Sequence, residues 1–445
     1  MAFHNETDTI SAIATPFGAA GVGVVRLSGD KSFEIIKKIF SNANIEPNKI
    51  AHGWIKDGET LIDEVIVLPF KAPKSYTGED IIEIQCHGGI QIVRQILNLT
   101  IKNGARHAER GEYTKRAFLN GKMDLSQAEA VLDLIHAKTE KFAVKSANNL
   151  SGKLSSEIEK IRKNIFDLLS KIVAAIDFPE DVREPDYSEI EKEIKDILVQ
   201  IDSILSVSKS SNILRQGIKI VIAGKPNVGK SSLFNRLLNL DRAIVTDIAG
   251  TTRDVLQETL NLDGIPLTIS DTAGIRNDEN IDKVEAIGID STKNYIEEAN
   301  IVLFLYDLTQ GFSEEDKEIF ELIKDKNHIK VGTKSDLTDK RDDDCICLSA
   351  VSGENIDTLK TKIKELVLGE NNIETEFVTN ERQQKCLESA KESLKRSLET
   401  TLRQDLQDLI SIDLKAALLS IGEISGEVIT DDILNNIFEN FCIGK

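Results

Sequence analysis

The sequence predicts three folded parts: an α+β N-terminal domain, a discontinuous α-helical domain, and an α/β domain inserted between the two helical segments. Three observations predict it. Short apolar runs broken by Gly and Pro fill the start of the chain, helical periodicity occupies two separated blocks, and strands alternate with helices between them.

The N-terminal part covers residues 1–119. Its strand signals are Val22-Gly23-Val24-Val25-Arg26-Leu27, Val65-Ile66-Val67-Leu68 and Ile81-Ile82-Glu83-Ile84. The first helical segment covers residues 120–216. There Ile161, Ile165, Leu168 and Ile172 share one helical face, as do Ile190, Ile194, Ile197, Ile201 and Ile204, and Pro179 and Pro185 turn the chain between them. The inserted part covers residues 217–376. An apolar strand at 219–223 opens it, Asp263-Gly264 between two runs signals a hairpin, and short strands follow at 301–306, 329–332 and 345–348. That order predicts a mostly parallel sheet covered on both faces. The second helical segment covers residues 377–445, with Cys386, Ala390, Leu394 and Leu398 on one face, then Leu406, Ile410, Leu414 and Ala417. The two segments read as one domain or as two independent hairpins; two amphipathic blocks flanking a single insert favour one domain.

Composition narrows the function classes. The chain has 445 residues and a net charge of −19, from 55 Lys+Arg against 74 Asp+Glu. A protein that merely coats nucleic acid needs basic surface to neutralise phosphates, so that class is disfavoured. Cys86, Cys345, Cys347, Cys386 and Cys442 are scattered and lack a CxxC pair, which argues against a disulfide framework or a structural zinc site. The N-terminal residues lack a basic n-region, and no apolar run approaches the ~20 residues that span a bilayer. A cytoplasmic chain is expected.

Residues 224–231 read Gly-Lys-Pro-Asn-Val-Gly-Lys-Ser and match the phosphate-loop pattern in full. Its glycines let the backbone wrap a phosphate with N–H groups pointing inward, and the helix that follows adds its positive end. Lys230 can reach the β- and γ-phosphates, and the Ser231 hydroxyl can ligate magnesium. Downstream, Gly250-Thr251-Thr252-Arg253-Asp254 offers a threonine, Thr252, that can close over magnesium. Asp271-Thr272-Ala273-Gly274 offers a carboxylate for magnesium through water and a γ-phosphate N–H at Gly274. Thr333-Lys334-Ser335-Asp336 places a carboxylate where it can accept from guanine N1 and N2, which adenine cannot offer, and Ser349-Ala350 can read guanine O6 through a backbone N–H. In this order the elements form a GTPase set. The expected nucleotide contacts are Asn227, Val228, Gly229, Lys230, Ser231 and Ser232; Thr246, Asp247, Ile248, Ala249, Gly250, Thr251 and Thr252; Asp271, Thr272, Ala273 and Gly274; and Thr333, Lys334, Ser335, Asp336, Ser349 and Ala350.

Two departures from the usual pattern bear on mechanism. Thr333 stands where Asn is usual. Its hydroxyl can donate to guanine N7 but is not expected to bridge the neighbouring loops as an amide does, so selectivity is expected to rest on Asp336 at lower affinity. Ile275 stands where Ras-like proteins carry the glutamine that orients water. Asp282, Glu285 and Asp290 are replacement candidates, although by themselves these acids read more readily as a solvated helix face, and Arg253 and Arg276 are nearby cations.

Beyond the phosphate loop, the chain resembles the MnmE (TrmE) family of tRNA-modifying GTPases from end to end. The resemblance rests on Thr9-Ile10 and Ala14-Thr15-Pro16 with residues 21–29; on Tyr76-Thr77-Gly78-Glu79-Asp80 and Cys86-His87-Gly88-Gly89; on residues 116–125 and 174–179; and on the terminal Phe441-Cys442-Ile443-Gly444-Lys445. It implies that the fold class is an α+β N-terminal folate-binding domain, a discontinuous α-helical domain and an inserted α/β P-loop GTPase domain. It implies a reduced folate such as 5-formyltetrahydrofolate at Arg26, Glu83, Lys122 and Lys445, and dimerisation through the N-terminal domain. The pair Arg26 and Glu83, taken by itself, reads equally as a structural ion pair.

The family also uses potassium in place of an arginine finger, which maps onto Asn227, Thr246, Ile248 and Thr251, and its water-positioning acid maps onto Glu285. The catalytic set is then Glu285, Lys230 and Arg276, with magnesium on Ser231 and Thr252. Asn227 alone reads equally as a favourable turn residue. Cys442 is a candidate nucleophile or a buried small residue, the latter preferred. The implied partners are a second copy, an FAD-bearing MnmG-like protein and tRNA. FAD belongs to that partner, since no GxGxxG fingerprint occurs here. The implied product is a carboxymethylaminomethyl or aminomethyl group at C5 of the wobble uridine. The alternative is a ribosome-assembly-type regulatory switch, against which stands the lack of a Lys/Arg-rich RNA-binding module.

Overall fold

The computed structural model describes residues 8–42, 44–241, 257–271, 296–368 and 376–445. Two compact units form. One comprises the described residues of Met1–Leu132, Leu150–Arg162 and Leu418–Lys445, the other those of Asp133–Asn149 and Lys163–Ala417.

In the first unit the chain runs β1 (Ile10–Ile13), β2 (Ala20–Ser28), α1 (Ser32–Ile39), β3 (Ala51–Asp57), β4 (Thr60–Phe70), β5 (Ile81–Gly88), α2 (Ile90–Lys102), β6 (Arg106–His107) and α3 (Glu112–Leu119). The strands form one six-stranded sheet in the order β3-β4-β5-β2-β1-β6. Period-two alternation sends Val25, Leu27, Val65, Val67, Ile82 and Ile84 to one face, where α1 and α2 cover them with Ile35, Ile36, Val93 and Ile96. Each such side chain contributes roughly 1.5–3 kcal/mol when fully buried. Arg26 and Glu83 fall on the other face, as partners across β2 and β5.

The helices follow as α4 (Leu125–Ile135), α5 (Glu140–Leu150), α6 (Lys153–Asp177) and α7 (Tyr187–Gln216). Both predicted apolar stripes of α6 and α7 are buried, and both prolines lie in the connection between these helices. Asp186 and Glu189 close a capping box at the start of α7.

Next come β7 (Ile218–Ala223), α8 (Lys230–Asp241), β8 (Gln257–Leu262), β9 (Ile265–Asp271), β10 (Ile301–Asp307), α9 (Glu314–Glu321), β11 (His328–Thr333), β12 (Ile346–Cys347) and α10 (Ile356–Leu368). The sheet order is β12-β11-β10-β7-β9-β8. Only the β8–β9 pair is antiparallel, and Asp263 and Gly264 turn it with φ of 48° and 91°. Consecutive left-handed residues match the right-handed strand twist. Leu233, Phe234 and Leu237 of α8 and Leu359 and Ile363 of α10 pack on one face of this sheet. Phe304 and Tyr306 of β10 pack on the other with Ile323.

The chain ends in α11 (Glu381–Leu402), α12 (Gln407–Ser425) and α13 (Asp431–Glu439). The second helical segment returns onto the first. The Asn149 amide donates to the Val378 carbonyl at 2.7 Å, and Thr379 donates to Ser208 at 3.0 Å. Lys391 of α11 pairs with Asp202 of α7 at 2.5 Å. In the first unit, Leu434, Phe438 and Phe441 share a core with Leu125, Ala128 and Val131. Independent hairpins do not describe these contacts.

One detail of the reading is corrected. Leu406 precedes α12 and is exposed, so the buried stripe begins at Ile410. Among the described residues no helix is long and apolar enough to cross a membrane.

Candidate nucleotide and tail sites

The phosphate loop leaves β7 at Ala223 and enters α8 at Lys230. It needs three left-handed residues, Gly224, Asn227 and Gly229, with φ of 146°, 64° and 94°. Gly224 is demanded by space as well, since a Cβ there would meet the Leu305 carbonyl oxygen at 2.2 Å. Asn is one of the few side-chain-bearing residues that adopts this region cheaply. Val228 is buried and anchors the loop into the sheet core.

The Lys230 ammonium donates to the Gly224 and Lys225 carbonyls, both at 2.7 Å, and so sits in the mouth of the loop. Ser231 and Ser232 are exposed on the first turn of α8. A hydroxyl at this turn suits a hard oxygen-seeking cation such as magnesium. Asn227 is exposed as well.

Two contacts missed by sequence reasoning hold the loop. Lys225 donates to Ser313 Oγ at 2.7 Å and pairs with Asp316 Oδ2 at 2.9 Å. Ser313 and Asp316 form the capping box of α9, and Asp316 is fully buried. Burial pushes its carboxyl up, but Lys225 and Ser313 outweigh that and hold it below the usual carboxylate range. The Ser-x-x-Asp spacing was a readable signal for the cap, though not for its lysine partner.

At the same carboxyl end of the parallel strands, after β11, Lys334 is left-handed, with φ of 61°, and its ammonium pairs with Asp307 at 2.7 Å. Ser335 donates to Glu354 at 2.5 Å, and its N–H donates to the Leu348 carbonyl at 3.2 Å. Ser349 is fully buried, and its carbonyl accepts from the Gly353 N–H at 2.9 Å. These bonds tie residues 333–336 to 348–354. Asp336 is exposed, and among the described residues its carboxylate makes no hydrogen bond or ion pair. Ala350, next after Ser349, is half-buried.

Thr333 corrects an expectation. Its buried hydroxyl lies 2.6 Å from the Val228 carbonyl and 3.0 Å from that of Tyr306. A hydroxyl here does bridge to the phosphate loop, because the Val228 oxygen is within direct reach of the side chain.

Thr246, Asp247, Ile248, Ala249, Gly250, Thr251, Thr252, Thr272, Ala273, Gly274, Arg276 and Glu285 lie outside the described residues. Asp271 closes β9.

A second constellation belongs to the first unit. Arg26 donates to Glu83 at 2.8 Å through Nε and pairs with it at 2.7 Å through a terminal nitrogen. Its guanidinium lies 5.8 Å from the Tyr76 ring centre and 5.5 Å from that of Tyr113, and also donates to the Gly444 carbonyl at 3.3 Å. Gly444 has φ of 95°, and a Cβ there would meet the Ile13 carbonyl at 2.3 Å, so the tail lies against β1 only as glycine. Lys445 is half-buried beside this pair; burial and then Arg26 push its ammonium pKa down, against Glu83 and Cys442. Arg26, Glu83 and Lys445 are thus brought together. Lys122 is exposed and donates to the Pro73 carbonyl at 3.0 Å, on the loop that carries Tyr76. The preferred reading of Cys442 is corrected: its side chain is exposed, because the buried neighbours in this tail are Phe441 and Gly444.

Known proteins are similar to this chain along nearly its whole length. A family model described as the MnmE helical domain matches residues 125–442, and one described as the GTP-binding protein TrmE N-terminus matches residues 9–122. The chain is 44% identical over 457 residues to the tRNA modification GTPase MnmE of Natranaerobius thermophilus, covering 98% of this chain and 99% of that protein. It is 45% identical over 459 residues to the tRNA modification GTPase MnmE of Thermoanaerobacter pseudethanolicus, with the same coverage of 98% and 99%. Among solved structures, Aquifex aeolicus Era bound to GDP and aluminium fluoride is similar at 27% identity, with a TM-score of 0.29, covering 40% of this chain and 66% of that chain.

Proposed function

The chain belongs to the MnmE (TrmE) family of tRNA modification GTPases, and we propose that it binds and hydrolyses GTP and couples that turnover to modification of the wobble uridine of certain tRNAs. The observation that carries the reading is the phosphate loop, with Lys230 in its mouth, joined through Thr333 to a segment whose Asp336 carboxylate is exposed.

In this reading, backbone N–H groups of residues 227–232 receive the phosphates and Lys230 exchanges two carbonyl partners for phosphate oxygens. Asp336 accepts from the guanine N1 and N2 hydrogens, and the Lys334 stem covers the base. Glu285 positions the attacking water, and Arg276 adds positive charge nearby. Ser231 and Thr252 would hold magnesium, and Asn227, Thr246, Ile248 and Thr251 would hold potassium. Bound there, the cations supply the charge that stabilises phosphoryl transfer.

The division into 1–119, 120–216, 217–376 and 377–445 is proposed as the functional one. Arg26, Glu83, Lys122 and Lys445 would hold 5-formyltetrahydrofolate or a related folate. A carboxylate and two cations beside tyrosine rings suit a molecule with ring N–H groups and a carboxylate tail. The working assembly would be a cytoplasmic homodimer with an FAD-bearing MnmG-like partner, installing a carboxymethylaminomethyl or aminomethyl group at C5. GTP turnover by the purified chain in potassium and in sodium tests the cation; equal rates remove it. The wobble-base profile of a deletion strain tests the substrate, and an unchanged profile removes it.

A further inference from the structure

We infer that this chain recognises guanine without a side-chain donor to N7, because Thr333 has exchanged that contact for a tether between the end of β11 and the phosphate loop. The inference rests on the guanine-nucleotide reading of the site and deepens it.

A threonine hydroxyl carries one proton. At Thr333 two carbonyl acceptors compete for it, the Val228 oxygen at 2.6 Å and the Tyr306 oxygen at 3.0 Å. The first distance is at the short end for an O–H donor, so the proton lies on the bond to Val228. The side chain is 3% exposed, which removes water as a competing partner. The remaining lone pairs can only accept, and N7 of a purine is itself an acceptor. An asparagine amide has two N–H donors and a carbonyl, so it can hold a neighbouring loop and still donate to N7. The hydroxyl cannot do both.

Recognition then falls on the opposite edge of the base. Asp336, whose carboxylate is exposed and, being ionised, can only accept, lies three positions after Thr333 at a turn that Ser335 fastens to Glu354 and Leu348. Discrimination should therefore follow the ring N–H and the 2-amino group and ignore position 7.

Calorimetric titration of the full chain in magnesium buffer with GDP, 7-deaza-GDP and IDP reads this directly. GDP and 7-deaza-GDP are expected to bind within threefold of each other, and IDP, which lacks the 2-amino group, at least tenfold more weakly. Thr333→Asn is expected to create a preference for GDP over 7-deaza-GDP, and Thr333→Val to weaken both by the same factor. A 7-deaza penalty above threefold in the unaltered chain overturns the inference while leaving guanine recognition intact. Failure of GDP itself to bind overturns the guanine reading and the inference with it.

Discussion

Asp336 is a single carboxylate on a turn, and in the proposed site it faces two N–H groups of the base. Hydrogen bonds to a charged group contribute about 1.5–3 kcal/mol each. Asp336→Asn is therefore expected to lower GDP affinity by roughly a hundredfold or more, by calorimetry, with little change in the unfolding midpoint of the free chain, because Asp336 has no partner among the described residues to lose. Glu112 behaves in the opposite way. It is buried and bonded by Arg106 at 2.6 Å and by Arg116 at 2.8 Å. Burial pushes its carboxyl up, but the bonds from Arg106, the Glu109 N–H and Arg116 outweigh that and hold it below the ordinary value. Its folded pKa lies below its unfolded value of about 4.3, so its contribution is fully present above that pH and is lost as pH falls. The urea midpoint of the first unit should drop on acidification below about pH 5, and Glu112→Gln should blunt that drop. An equally steep drop in the variant would remove Glu112 as its cause. The motif residues 224–231 were legible because their spacing is itself the loop geometry. Arg116 lies four positions after Glu112 on α3, a spacing that pairs side chains on a helix, whereas Arg106 sits on β6 and nothing in a strand sequence states which buried carboxylate it will meet.

Among the elements, α9 is short, eight residues, and its N-terminal cap is shared with the phosphate loop through Lys225. Removing the lysine leaves the Asp316 charge buried, and breaking such a pair costs about 3–5 kcal/mol. Lys225→Met should therefore lower the stability of the second unit by that order in urea unfolding, and adding Asp316→Asn should recover part of the loss. A variant with an unchanged midpoint would show the pair to be dispensable. The long amphipathic helices were legible from period, whereas short elements such as α1 and β3 were not read. Both stripes on α6 and α7 are buried as read, and the hairpin turn at Asp263-Gly264 follows from its dipeptide. Leu406 was misplaced because an apolar residue just outside a helix satisfies the same spacing as one inside it.

For the whole molecule, the two compact units divide the helical residues between them. A nucleotide that binds in the second unit stabilises that unit by mass action, about 2.7 kcal/mol at a hundred times its dissociation constant. Saturating GDP is expected to raise one calorimetric unfolding transition and leave the transition of the first unit in place. A shift of both together would mean that the units unfold as one. Lys230→Ala should abolish the shift, since the ammonium in the loop mouth is the group that meets the phosphates in the proposed site.

What the sequence determined by itself is everything that depends on neighbours along the chain: the strand and helix periods, the positive-φ glycines of the phosphate loop, and the order of the motifs that marks the family. Only the tertiary structure decided which distant groups share a proton or a charge. Thr333 meets a carbonyl 105 positions away, Arg26 meets Gly444 across 418 positions, and Lys225 meets a helix cap 88 positions on. A period is a local property of the backbone, whereas a side chain's partner exists only once the chain has closed on itself and excluded the water that would otherwise take its place.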